Sequence, residues 1–305
     1  MTGSSSQALA PPSARSVDIG AALIILVLSL SWGFNQVAVK LAIHDIPPLL
    51  QATIRSCGAA IIIALWARTR GISLTARDGT LVPGLAAGLL FGIEFILIYR
   101  GLVWTTAVRA VLFLYMAPFF VALGARWWLP AERLGATQWG GLALSFAGVA
   151  VALGMPAPVA DPWEMAGDAM MIAAAATWAA TTLVVKSSAL ARTSPEKTLW
   201  YQLVVSAPVL GLGAAVLGER ITGMPSTVAL AALGYQTIWV VSITFAVWFA
   251  LIVRYSASRV SAFTFLTPLF GVAAGHLVLG EPITPAFAAA VALVAAGLVL
   301  VNRPR

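Results

Sequence analysis

The sequence predicts an all-α integral membrane protein, with ten transmembrane helices arranged as two inverted five-helix repeats. Three observations lead there. The 305 residues are 60% hydrophobic and only 10% charged, with a mean hydropathy of +0.94, whereas a soluble domain is about 45–50% apolar and about 25% charged. Apolar stretches long enough to cross a bilayer recur from Ile19 to the C-terminus. Matching residue pairs recur in the two halves at a nearly constant spacing. The composition excludes an ordinary water-soluble enzyme, and neither Gly nor Pro repeats with the short period of a fibrous chain.

One span needs about 20 apolar residues, so ten would use about 220. Residues 1–17, rich in Ser, Ala and Pro and carrying only Arg15, read as a flexible cytoplasmic tail. No basic segment precedes a short apolar core there, so it is not read as a signal peptide. The first repeat, residues 18–156, holds spans at Ile19–Ile43, Pro47–Ala67, Leu81–Trp104, Ala107–Leu129 and Ala136–Met155. The second, residues 164–303, holds Met165–Ser188, Lys197–Leu217, Thr227–Val253, Ser256–Gly280 and Pro285–Val301. The last is the cleanest, with no polar side chain from Ala286 to Val301. The eighth is the least regular, interrupted by Gln236, Thr237, Ser242 and Thr244.

Orientation follows from the basic residues. With the N-terminus inside, inner segments hold 13 of the 18 Lys and Arg, and the positive-inside rule places both termini in the cytoplasm of a plasma (inner) membrane. The formal charge of +7 is spread one to three residues per loop, which suits anionic lipid and not nucleic acid. Gly84, Gly88 and Gly92 on the third span, and Gly271 and Gly275 on the ninth, recur every fourth residue and allow close backbone approach.

The repeat is carried by ordered matches. Trp32 and Lys40 are eight residues apart, as are Trp178 and Lys186. Arg109 and Pro118 match Arg259 and Pro268, and Glu132 with Gly148 matches Glu281 with Gly297. Five spans per half is an odd number, so the second half enters the membrane from the opposite side. That construction is typical of secondary transporters, whose sites lie near mid-membrane between the halves.

Each half thus carries a mid-helix proline (Pro118, Pro268), an acidic residue just after that helix (Pro-Ala-Glu-Arg-Leu at 130–134, Leu-Gly-Glu-Pro-Ile at 279–283) and a closing Ala/Gly-rich span. From Asp18 to Arg303 this resembles the ten-helix EamA-type branch of the drug/metabolite transporter superfamily, and within it most resembles the bacterial aromatic amino acid exporters of the YddG type. Pro130-Ala131 stands where the second half has Gly before its Glu. The resemblance implies a secondary transporter exporting amino acids, aromatic and other neutral ones, from the cytoplasm by alternating access. The alternative is export of drug-like cations or other small metabolites.

Charged and polar side chains inside spans are the candidates for binding, because each costs roughly 2.5–3.5 kcal/mol on insertion scales. Only Arg55 and Glu94 lie well inside helices, at similar depth on adjacent spans. They read either as a structural ion pair or with Glu94 holding a substrate ammonium or a coupling proton. Of the 11 Trp, Trp66, Trp104, Trp127, Trp128, Trp139 and Trp163 fall at span ends and read as interfacial anchors. Trp32, Trp178, Trp239 and Trp248 do not, and the first three read either as packing or as pocket walls for an aromatic ring or ammonium. Asn35 and Thr181 share the faces of Trp32 and Trp178. Tyr99, Tyr115, Gln202, Tyr235 and Ser242 are further candidate lining. Pro118 and Pro268 free the carbonyls of Leu114 and Thr264 and read as fixed kinks or as hinges for a gate. Lys40 and Lys186, near helix ends, are expected to snorkel to the interface.

No catalytic residue, cofactor or metal site is expected. Cys57 is the single cysteine, with only His44 and His276 to join it. No serine-hydrolase elbow, zinc-protease motif or phosphate-binding loop occurs. The expected partners are a small-molecule substrate and membrane lipid; one chain suffices as a monomer, and a dimer stays open.

Overall fold

The computed structural model describes residues 17–154, 161–280 and 282–303. The expected tail with Arg15, Met155 at the end of the fifth span, Glu281 and Arg305 lie outside the described residues. Among the described residues the chain is helical, without a strand.

The elements are α1 (Ile19–Ala42), α2 (Pro48–Thr69), α3 (Leu81–Gly101), α4 (Ala107–Leu114), α5 (Ala117–Trp128), α6 (Ala136–Leu153), α7 (Pro162–Ser187), α8 (Pro195–Val216), α9 (Thr227–Gly234), a π-helical segment (Tyr235–Thr244), α10 (Phe245–Arg254), α11 (Ala257–Ala262), α12 (Leu266–Leu279) and α13 (Ala286–Asn302). Counted as continuous rods, nine helices among the described residues are long and apolar enough to cross a membrane; α13, apolar and 17 residues long, is shorter.

Local sequence sets the starts. Asp18, Thr106, Asp161, Ser194 and Ser226 each accept a hydrogen bond from a backbone N–H in the first turn they precede, which satisfies donors the helix leaves unpaired. Pro48, Pro162 and Pro195 occupy first helical positions, where no N–H is missed. Gly280 ends α12 in the left-handed region at φ 71°.

Three rods are interrupted where the sequence is unusual. α4 ends at Leu114, four residues before Pro118, because the proline cannot donate to that carbonyl. Likewise α11 and α12 are separated by a 3-10 turn, Phe263–Phe265, which contains Thr264, four before Pro268. The irregular eighth span becomes the ten-residue π segment, a rare geometry. There Ser242 Oγ donates to Thr237 O at 2.7 Å, and Thr237 Oγ1 to Leu233 O at 2.7 Å. The polar residues that break the apolar pattern thus bond the loosened backbone.

Helices of the first half pack chiefly on helices of the second. α6 lies on α13, α3 on α7 and α8, α2 on α8 and the π segment, α1 on α12, α9 and the π segment, and α4–α5 on α7. Glycines bring these pairs close. A Cβ on Gly84 or Gly88 would stand 2.5 Å from Tyr201 or Val205 of α8. One on Gly141 would stand 2.6 Å from Gly297 O, so α6 and α13 touch backbone to backbone. No side chain fits there without parting the helices. We expect Gly297→Val to cost about 1–3 kcal/mol or more by overpacking. The check is a lowered melting temperature in detergent beside an unchanged Gly140→Val, whose Cβ would meet open space.

Candidate functional site

The seam between α1 and the π segment is stitched by three side chains. Trp32 Nε1 donates to Thr244 Oγ1 at 2.9 Å, Trp239 Nε1 to Ser31 Oγ at 2.9 Å, and the Tyr235 hydroxyl to Ser31 O at 2.9 Å. The polar tips of all three rings are paired, with Trp32 and Tyr235 half-buried and Trp239 exposed.

From this seam a continuous string of aromatic rings crosses the bundle. Trp178 packs on Trp248 at 5.7 Å between centroids, Trp248 on Trp32 at 5.1 Å, and Trp32 on Phe245 at 5.8 Å. Phe245 meets Phe91 at 5.9 Å, Phe91 meets Phe95 at 5.1 Å, and Phe95 meets Tyr99 at 6.1 Å. Most contacts are edge-to-face, the geometry favoured by ring quadrupoles. Helical spacing supplies part of the string: Phe91, Phe95 and Tyr99 stand every fourth residue on α3, one face of one helix. Trp32 and Trp178, matched by position in the sequence, are thus brought together through Trp248.

Glu94 sits within that string's α3 section and Arg55 faces it from α2, both buried. The ion pair expected between them is not closed. The Arg55 guanidinium lies over the Phe95 ring, 4.5 Å from its centroid. Arg55 Nε and Nη2 and Glu94 Oε2 are buried without a hydrogen-bond partner. Gln202 on α8, 0% exposed, leaves both amide atoms unpaired, and Ser56 Oγ and Asn35 Oδ1 do likewise. Leaving such groups unmade costs about 1–3 kcal/mol each, more when charged.

Other expected site residues are placed differently. Thr181 Oγ1 donates to Thr177 O at 3.0 Å and Ser242 to Thr237 O, so both hydroxyls bond their own helix. Trp239 is 40% exposed. Tyr115 lies apart from the string, packed with Phe265 and Phe119 against α6. Pro118 and Pro268 mark helix breaks, as described above. Sequence reasoning missed Phe91, Phe95 and Phe245. Their signal was the spacing of Phe91, Phe95 and Tyr99, every fourth residue on the helix that carries Glu94.

Lys186 does not snorkel. Its ammonium donates to Ile252 O and Tyr255 O and pairs with Glu132 Oε1 at 2.9 Å. Glu132 Oε2 accepts from Ala257 N at 2.6 Å, and the Tyr255 hydroxyl donates to Asp18 Oδ2 at 2.7 Å. One cluster therefore ties α1, α5, α7, α10 and α11 at a single end of the bundle. Nearby, Lys197, 1% exposed, donates to Asp78 Oδ2 and Ala76 O, each at 2.9 Å, and clamps the connection between α2 and α3. At the opposite end Arg109 pairs with Asp168, which also accepts from Thr105 Oγ1 at 2.6 Å. There too Glu219 accepts from the N–H groups of Leu49 and Leu50 at the start of α2. No group of three His, Cys, Asp or Glu among the described residues stands close enough to hold a metal ion.

A chain of apolar rods with a buried polar and aromatic centre has the build of a membrane carrier. Comparison with known proteins decides the family: the EamA-like transporter family matches twice, over residues 19–154 and 165–303. This chain belongs to that family. It is a multi-pass membrane transporter of the drug/metabolite superfamily. Among its relatives, a Salmonella typhimurium protein described as "Probable amino-acid metabolite efflux pump" is 29% identical over 91% of this chain and 92% of its own. An Escherichia coli protein of the same description is 28% identical over 86% and 87%. An uncharacterized transporter of Bacillus subtilis, YvbV, is 26% identical over 92% and 91%. A solved crystal structure superposes with a TM-score of 0.80 over 92% of this chain and 96% of that one at 22% identity, a likeness of fold.

Two predictions follow from the polar clusters. Lys186→Met strands a buried carboxylate, so it is expected to cost about 3–5 kcal/mol, with partial recovery when Glu132→Gln is added. Thermal unfolding in detergent measures both. Asp78 is held down to about 2, first by its hydrogen bond from Lys197 and then by Thr80. A lowered carboxyl stabilises the fold above its unfolded value of about 4 and stops doing so as pH falls toward 2. Asp78→Asn is expected to flatten the pH dependence of unfolding across that window.

Proposed function

We propose that the chain exports amino acids, aromatic and other neutral ones, from the cytoplasm by alternating access, through ten spans built as two inverted five-helix repeats. The observation that carries the reading is the aromatic string from Trp178 to Tyr99, with Glu94 and Arg55 buried beside it. A carrier for a neutral amino acid needs an apolar, ring-lined path and a few polar groups that hold the charged ends without trapping them. Trp32, Trp178 and Trp239 serve as ring walls, with Asn35, Tyr99, Thr181, Gln202 and Ser242 as polar lining. Glu94 binds the substrate ammonium. Tyr115, packed with Phe119 and Phe265, contributes at the periphery.

Several facts support the repeat. One family matches both halves, and α13, at 17 residues, reaches about 25 Å at 1.5 Å per residue, enough for a tenth span in a thinned bilayer. Exchanging the halves carries the α1–α12 contact onto α7–α5, α3–α8 onto the π segment with α2, and leaves α2–α8 and α6–α13 as they are. In the proposed orientation both termini are cytoplasmic and the Lys186–Glu132 cluster lies inside. The breaks before Pro118 and Pro268 act as paired hinges. Two relatives described as amino-acid metabolite efflux pumps support the substrate class.

Glu94 with ring walls also suits a drug-like cation, and one experiment separates the two. Labelled phenylalanine is loaded into proteoliposomes and competed with tryptophan, threonine and a quaternary ammonium. Competition by the amino acids and not by the quaternary ammonium is expected; the reverse result rejects the amino acid reading. Glu94→Gln is expected to insert normally and to lower transport about tenfold or more, the scale of losing one charge-assisted hydrogen bond. Unchanged transport at every pH removes Glu94 from the mechanism.

A further inference from the structure

We infer that Arg55 and Glu94 form a zwitterion-reading couple, in which Arg55 takes the substrate carboxylate and Glu94 its ammonium, so that α-amino acids are selected over amines and acids bearing one charge. This rests on the export reading above and deepens it by naming the second recognition group.

The argument begins with the pair that is not made. Two opposite charges buried on adjacent helices at similar depth ordinarily meet, because each alone in a low-dielectric interior is costly. Here the guanidinium stacks on Phe95 instead, with Nε and Nη2 buried and unpartnered and Glu94 Oε2 likewise buried and unpartnered. Nε and Nη2 are adjacent donors of one guanidinium edge, the fork that binds a carboxylate bidentately. An amino acid holds its carboxylate and ammonium on one carbon, so a single molecule set between Arg55 and Glu94 neutralises both at once.

The surroundings suit the rest of the substrate. Phe91 and Phe95 flank Glu94 on the same helix and continue into Phe245 and Trp32, which gives an apolar side chain a place to stack. Arg55 is fixed by Phe95 below it, so its fork is presented with little orientational freedom. A ligand with only an ammonium leaves Arg55 unpaired, and one with only a carboxylate leaves Glu94 unpaired. A site built to pair a group rejects analogues that lack it.

The test uses full-length protein in proteoliposomes with tryptophan, tryptamine and indole-3-propionate as competitors of labelled phenylalanine. Wild type is expected to prefer tryptophan over both analogues by about tenfold or more. Arg55→Gln is expected to erase the preference over tryptamine, and Glu94→Gln that over indole-3-propionate, each leaving the other preference in place. Arg55→Lys, which keeps the charge but not the fork, gives an intermediate ratio and serves if Arg55→Gln does not insert. Wild type that accepts tryptophan and tryptamine equally, or Arg55 variants that keep the full preference, overturns the couple while leaving export intact. Wild type that moves no amino acid overturns the export reading, and this site with it.

Discussion

Lipid surrounds this chain with a solvent that neither hydrates polar groups nor drives apolar helices together. Helices must therefore be held by contact at short range, and every buried donor and acceptor must find its partner within the protein. The glycines answer the first demand. Gly84 and Gly88 admit the side chains of α8 against α3, and Gly141 and Gly297 let α6 and α13 meet at their backbones.

The second demand divides the polar residues into two kinds. Those at the bundle ends are paired: Lys186 with Glu132, Lys197 with Asp78, Arg109 with Asp168. Those of the α1–π seam are paired too, by Trp32, Trp239 and Tyr235. Arg55, Glu94 and Gln202 are not, although all three are buried. The charged pairs of the ends are closed while Arg55 and Glu94 leave theirs open, so the largest unpaired cost among the charged side chains falls at these two residues. Binding then relieves a cost already present, which favours occupancy.

Much of the scaffold was legible. Span positions were readable to within a few residues because twenty apolar positions in a row have few other fates, and both helix breaks followed from Pro118 and Pro268. The irregularity of the eighth span was visible in Gln236, Thr237, Ser242 and Thr244, though its π geometry was not, since the hydrogen-bond register depends on neighbours in space. Site partners were harder. Depth along a helix places Arg55 and Glu94 at one level, but their rotation decides whether they meet, and the Arg55 guanidinium lies over Phe95. Lys186 misled for the same reason: a lysine near a helix end snorkels unless a carboxylate from a distant segment waits beneath it, and Glu132 does.

Under the two-repeat reading, the centre is less symmetric than its frame. The spacings of 146 to 150 residues that relate matched positions carry Glu94 of α3 onto residues 240–244, within the π segment. Where one half places a charge, the other loosens its backbone and turns hydroxyls inward on its own carbonyls. Two identical halves would present the same groups to a substrate from both sides, and would suit a symmetric ligand. An amino acid is not symmetric: one end carries both charges and the other is apolar. On that reading the rings come from both halves, while Arg55 and Glu94 stand only in the first and the second adds hydroxyls, an inequality that matches that polarity. Divergence between the repeats at this level, while the packing pairs around it stay matched, therefore fits a frame kept symmetric for motion and a centre made unequal for recognition.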